Sequence, residues 1–146
     1  MYTRLTDSDF KYVFEKVPRL CVDFIVESED GFLLSLRDIN PGKGMWHIPG
    51  GTVGKNEPLS EAVKRIAKKE TGLTVEIVKQ LGVVEYPHES QGEWERHTVS
   101  IVFVVRAKSG GLVHDNQSKK LMYVREIPSL MYPGQAEFLR TQNLLR

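Results

Sequence analysis

The stretch from Gly50 to Leu73, GGTVGKNEPLSEAVKRIAKKETGL, constrains the fold of this chain more than any other segment. It opens on a double glycine, continues as a helix-forming run and stops at a glycine. The spacing predicts a helix from about Glu57 to Thr71, with Asn56 or Glu57 as cap and Pro58 in the first turn, where a missing N–H costs nothing. Leu59, Ala62, Val63, Ile66 and Ala67 recur at helical spacing and form one apolar stripe. Gly72 is the expected left-handed stop, with Leu73 as its hydrophobic contact. At about 100° per residue, Glu70 falls within the apolar stripe instead of on the opposite face. An unpaired buried carboxylate is costly, so Glu70 should have a cation beside it.

The remaining elements are read from period and punctuation. Thr6 or Asp7 caps a short helix whose apolar face is Phe10, Val13, Phe14 and Val17, closed by Pro18. Leu20 to Val26 reads as a buried strand, with Leu20, Val22, Phe24 and Val26 on one face and Cys21, Asp23 and Ile25 on the other. Asp23 is either a satisfied structural carboxylate or a polar contact in a substrate pocket. A second strand spans Phe32 to Leu36, with Arg37 at its end, either solvated or placed to hold a phosphate. A Gly/Pro loop leads to a short strand, Met45 to Ile48, in which Trp46 is expected to pack in the core, with stacking on a base as the alternative. Val75 to Tyr86 is a strand with Gly82 as a bulge candidate, Pro87 to Glu95 a polar loop, and Val99 to Val105 an apolar strand central in its sheet. A last strand, Leu121 to Val124, precedes a C-terminal helix after Pro133-Gly134. This order is not a regular βαβ alternation. It predicts an α+β class, a mixed sheet between helices, in a single domain over residues 1–146.

Composition narrows the function. The net charge of +1 gives no electrostatic case for nucleic acid or a membrane surface as partner. The single Cys21 excludes an internal disulfide and suits a reducing compartment. With no apolar run of membrane-spanning length and no signal-peptide pattern, a cytoplasmic enzyme or binding protein is expected.

From Gly51 the residues resemble the Nudix box. That pattern is glycine, five residues, glutamate, seven residues, then Arg-Glu-apolar-any-Glu-Glu-any-Gly-apolar. Here Gly51, Glu57, Arg65, Glu70, Gly72 and Leu73 fall on it, and Trp46-His47-Ile48-Pro49-Gly50 resembles the approach to the box. The resemblance implies the Nudix α/β/α sandwich. Two positions depart from it: the first box glutamate is Ile66, and the first of the paired glutamates is Lys69. A similar loss occurs in the GDP-mannose mannosyl hydrolases. Val22 through Glu27, Phe32-Leu33-Leu34, Arg37 and the helix ending at Pro18 are also similar to that branch. Those enzymes cleave the anomeric carbon–oxygen bond with inversion and release nucleoside diphosphate and sugar.

The resemblance implies a Mg²⁺ (or Mn²⁺) ion held by the Gly50 carbonyl, Glu70 and Gln117, with substrate phosphates completing its shell, since Mg²⁺ is satisfied by one or two carboxylates plus phosphate and water. It implies roles for Arg37 and Arg65 in stabilising the departing diphosphate, and a substrate contact for Asp23. From the residues alone, Arg65 reads as an ion pair with Glu61 at i, i+4. The general-base histidine of the branch is Ser118 here, and an arginine it places after the double glycine is Thr52. Candidate bases are therefore His88 and His114, with His97 as a third matched histidine that begins a strand; His88 is the catalytic assignment. The resemblance and the short N-terminal helix suggest a homodimer.

Two rival readings stand beside nucleotide-sugar hydrolysis. A conventional pyrophosphohydrolase of ADP-ribose or a nucleoside triphosphate would need carboxylates from outside the box, and Glu85, Glu89, Glu93 and Glu95 are the candidates. A binding module would keep the pocket and lack turnover.

Overall fold

The computed structural model describes residues 3–113 and 117–144; His114 lies outside them. Its elements are α1 (Asp7–Phe14), β1 (Arg19–Ser28), β2 (Gly31–Arg37), β3 (Trp46–His47), β4 (Gly50–Thr52), α2 (Leu59–Thr71), β5 (Thr74–Ser90), β6 (Glu95–Ser109), β7 (Ser118–Val124) and α3 (Gln135–Thr141). The sheet is mixed. β1 runs parallel to β6 from Arg19↔Thr98 to Val26↔Val105, and antiparallel to β4 through Cys21↔Thr52, Val22↔Gly51 and Asp23↔Gly50. β5 flanks β6 antiparallel, and β2 joins β1, β3 and β7. β6 is thus interior, as its apolar run predicts.

The two faces of β1 serve two cores. Val22, Phe24 and Val26 pack with Ala62, Val63, Ile66 and Ala67 of α2. Ile25 packs with Ile48, Val84, Val102, Phe138 and Leu139, so α3 covers the opposite side. The alternation in the sequence therefore specifies both layers, since a slip of one residue would exchange them. Trp46 packs against the second core, as expected. No helix among the described residues is long and apolar enough to cross a membrane.

Two local readings change, and one is narrowed. Helix α2 starts at Leu59, with Pro58 as N-cap and no side-chain cap. Asn56 instead occupies a turn at φ 62°, and Glu57 folds back to accept the Gly54 N–H at 3.0 Å. Gly72 ends the helix at φ 78° as expected; a Cβ there would also lie 2.6 Å from the Gly111 carbonyl. The expected polar loop from Pro87 to Glu95 is mostly strand: β5 continues to Ser90 and β6 begins at Glu95. Between Tyr86↔Thr98 and Glu89↔Arg96, β5 carries one residue more than its partner. Such a bulge reverses the alternation beyond it, and it accommodates Pro87, which has no N–H for the ladder. Tyr86 and Glu89 both turn inward, and His88 is left on the outside. Finally, α1 is capped by Thr6, whose Oγ1 accepts the Asp9 N–H, and buries none of its residues.

Candidate active site

A cavity of about 780 Å³ opens between α1, β1, the double-glycine turn, α2 and the β5–β6 hairpin. Among the described residues, Arg4, Lys11, Arg19, Arg37, Lys55, Arg65, Lys69 and Arg96 line it, against Asp7, Asp23, Glu70 and Glu89. Two cations for each carboxylate make an anion-attracting wall in a chain whose net charge is only +1. The composition conceals this because the compensating carboxylates lie elsewhere.

The structure brings together Asp23, Arg37, Gly50, Arg65, Glu70 and Gln117 on this one cavity. His88 does not line it. Its side chain is 78% exposed, and Nδ1 lies 3.2 Å from Glu95 on the outer face of the hairpin. His97 pairs with Glu85 on the same hairpin, at 2.8 Å. Ser118 is buried, its Oγ 2.8 Å from Ser35 Oγ and donating to the Lys120 carbonyl, so it reinforces the β2–β7 pairing.

Helix α2 delivers Glu70 to the wall in its last turn, with Lys69 beside it. The cation expected near Glu70 includes Arg37. Burial lowers the Arg37 pKa, while Tyr132, Glu89 and Glu70 act to raise it. The Arg37 guanidinium is itself positioned: Nε donates to the Pro41 carbonyl, and Cζ sits 5.7 Å from the Tyr132 ring centroid. One turn before Glu70, Ile66 is 3% exposed and packed in the α2 core, beneath Gly51.

Arg65 does not pair with Glu61. It grips Glu57 with two bonds, Nε to Oε2 at 2.7 Å and Nη2 to Oε1 at 3.0 Å, and donates to the Thr52 carbonyl at 2.9 Å. The bond from Arg65 holds the Glu57 carboxyl below the usual carboxylate range, against a smaller opposing effect of burial. Since Glu57 also holds the Gly54 N–H, this bidentate clasp fixes the turn that follows the double glycine. Glu57→Gln should cost about 2 kcal/mol, the scale of a charge-assisted hydrogen bond. Thermal melting would show it, and Glu61→Gln should leave the melting temperature unchanged.

Asp23 is 7% exposed and faces Gly50 across the β1–β4 pair. Burial raises its carboxyl to about 7, with the Ser100 hydroxyl and Arg19 pulling the other way. Ser100 Oγ is enclosed and makes no hydrogen bond of good geometry among the described residues. His47 also lines the cavity. Its Nδ1–H donates to the Ser35 carbonyl at 2.9 Å, and burial, with Arg37 nearby, lowers its pKa to about 3, so the ring is neutral.

The cavity also holds a carboxylate that the sequence offered only as one of four. Glu89 accepts from Arg96 Nε at 3.0 Å, from the Thr98 hydroxyl and from the Tyr132 hydroxyl, with Arg19 Nη2 at 3.8 Å. Burial raises its pKa, but these partners outweigh it and hold Glu89 ionised. Arg19 adds bonds to Thr52 and Thr98. Pro87 inside a β-rich run was the available sign of the bulge that turns Glu89 inward.

Comparison with known proteins places the fold in a family. The NUDIX domain model matches residues 17–142. The chain belongs to the Nudix family. Over 122 residues it is 34% identical to the low-salt glycan biosynthesis protein Agl8 of Haloferax volcanii, covering 82% of this chain and 78% of that one. Over 138 residues it is 32% identical to an ADP-ribose pyrophosphatase of Methanocaldococcus jannaschii, covering 91% and 80%. The crystal structure of a MutT Nudix hydrolase from Burkholderia pseudomallei matches with TM-score 0.73 at 27% identity, over 85% of this chain and 97% of that one. The protein is a Nudix hydrolase, of a family that acts on nucleoside diphosphate derivatives and generally uses a divalent metal.

The donor set suits a lightly held ion. Gly50, Glu70 and Gln117 share the cavity, and no cluster of three or more His, Cys, Asp or Glu able to hold a metal occurs among the described residues. Such a site needs substrate phosphates as ligands, and the surplus of cations around it would draw them in.

Proposed function

We propose that the protein hydrolyses a nucleoside diphosphate sugar, GDP-mannose-like, at the anomeric carbon. The observation that carries this reading is the fate of the box positions. Ile66 is an almost fully buried, apolar part of the cavity wall, Lys69 brings a positive charge, and Glu70 remains. Glu89, the buried carboxylate from outside the box, has its oxygens occupied by Arg96, Thr98 and Tyr132. This wall is poorly furnished for activating water at phosphorus and well furnished for receiving a diphosphate.

Gly50, Glu70 and Gln117 would hold Mg²⁺ or Mn²⁺, which supplies charge neutralisation to the departing diphosphate. Arg37, fixed by Pro41 and Tyr132, adds a guanidinium aimed into the same space. The Glu57–Arg65 clasp keeps the glycine turn in register. The bond between the anomeric carbon and the β-phosphate oxygen breaks, and the nucleoside diphosphate leaves with the bonding pair. Water adds its oxygen to the sugar carbon and loses a proton. The relative named for glycan biosynthesis supports a nucleotide-sugar substrate.

The relative named as an ADP-ribose pyrophosphatase favours a second reading, attack at phosphorus. Turnover of a nucleotide-sugar panel with Mg²⁺ in ¹⁸O-water separates the two. The expected result is label in the sugar, none in the nucleotide; label in phosphate overturns the proposal, as does the absence of turnover.

A further inference from the structure

We propose that the part of the cavity around Arg96 reads the nucleobase, and that Arg96 selects an oxopurine there. This rests on the nucleoside diphosphate sugar proposed above and assigns the base, one of the two groups that flank its diphosphate.

The Arg96 side chain is 10% exposed and lines the cavity. Its Nε is committed to Glu89, and Glu89 is immobilised by Thr98 and Tyr132. Neither Nη makes a hydrogen bond among the described residues. The only enclosed side-chain polar atom without a partner among them is Ser100 Oγ, so the Arg96 Nη atoms are not sealed in but open on the cavity. A guanidinium held rigidly by one nitrogen, with the others unsatisfied, is preorganised for a ligand with paired acceptors.

The surroundings fit a flat ring. The Phe10 centroid lies 5.9 Å from Arg96 Cζ, and Phe10 and Trp94 meet edge to face at 6.4 Å. Both aromatics line the cavity, and base-on-aromatic contacts of this kind are favourable for any base. The separation fits as well. Arg19, opposite Thr98, is four residues along β1 from Asp23, opposite Gly50, and a strand covers that in about 13 Å. This is on the scale of a nucleoside reaching from its base to its diphosphate. A phosphate is poorly suited to the Arg96 end, which has a carboxylate on one side and a phenyl ring on another.

The choice among bases follows from donor and acceptor patterns. Guanidinium nitrogens only donate. Guanine and hypoxanthine present N7 and O6, two acceptors side by side, whereas adenine presents N7 beside an amino donor. Arg96 therefore satisfies an oxopurine twice and meets adenine donor to donor.

Calorimetric titration of the full chain with GDP, IDP and ADP in Mg²⁺ tests this. GDP and IDP should bind alike, and ADP about 10-fold or more weakly. Arg96→Lys keeps a cation for Glu89 but loses the fork; it should shrink the GDP-over-ADP preference severalfold, by weakening GDP and IDP far more than ADP. Phe10→Ala should weaken all three in proportion. The proposal is overturned if ADP binds as well as GDP, if IDP follows ADP, or if Arg96→Lys weakens all three equally. The IDP–ADP comparison needs no variant, so it holds even if Arg96→Lys fails to fold. Failure of the cleavage reading is distinguishable, because label in phosphate would leave the base preference standing.

Discussion

Replacing Glu70 with glutamine is expected to lower turnover by at least about 100-fold, since even partners one shell removed from a metal cost up to that much when lost. Glutamine keeps the size and one carbonyl oxygen, so the change is in charge more than shape. The box offers no substitute: Ile66 is apolar and enclosed, and Lys69 carries the wrong sign. Glu89 is already engaged by Arg96, Thr98 and Tyr132, so it is a poor replacement. The fold should tolerate the change. Glu70 sits in the last turn of α2, where the helix dipole disfavours a negative charge, so stability should hold to within about 1 kcal/mol. Steady-state kinetics at rising Mg²⁺, together with a thermal melt, checks both halves. A variant that folds normally and turns over at the original rate would remove Glu70 from the site.

That contrast between function and fold matches what the residues revealed and what they hid. Periodicity located both core faces of β1 and the stripe of α2, because an apolar face must follow the geometry of its own element. The Gly72 stop and the interior position of β6 were legible for the same local reason. Of the residues named from the sequence, Asp23, Arg37, Gly50, Arg65, Glu70 and Gln117 line one cavity. Reading failed where a residue's direction depends on a second strand. Alternation alone puts His88 on the side of Tyr86, yet the single extra residue in β5 turns Glu89 inward instead. Arg65 was read against Glu61 because i, i+4 is the neighbour a helix guarantees. Its actual partner, Glu57, reaches it only because the loop folds back over the first turn. The Arg19–Glu89–Arg96 cluster draws on three strands and has no signature in any one of them.

Gly50 and Gly51 look equivalent in the sequence, and the structure predicts that they are not. Gly50→Ala should destabilise the protein by about 3 kcal/mol, the upper part of the usual overpacking range, and should lower activity with it. An added Cβ would lie 1.9 Å from Asp23 Oδ1 and 2.5 Å from the Val22 carbonyl oxygen. The carboxylate could swing away at the expense of its buried position; the carbonyl cannot, because it belongs to β1, which is paired with β4 on one side and β6 on the other. Asp23→Ala combined with Gly50→Ala should therefore recover only part of the loss. Moving β4 outward to relieve the contact would displace the Gly50 carbonyl proposed as a metal ligand, so metal affinity should fall along with stability. At Gly51 the nearest atom to an added Cβ is Ile66 Cδ1 at 3.2 Å, the far end of a side chain that can rotate, so Gly51→Ala should cost well under half as much. Melting temperatures should separate the two variants by several degrees, since each kcal/mol is worth roughly 2–4 °C at about this size. Equal melting temperatures would show that β4 yields freely, and the close approach of Gly50 to Asp23 would then not be what holds the turn.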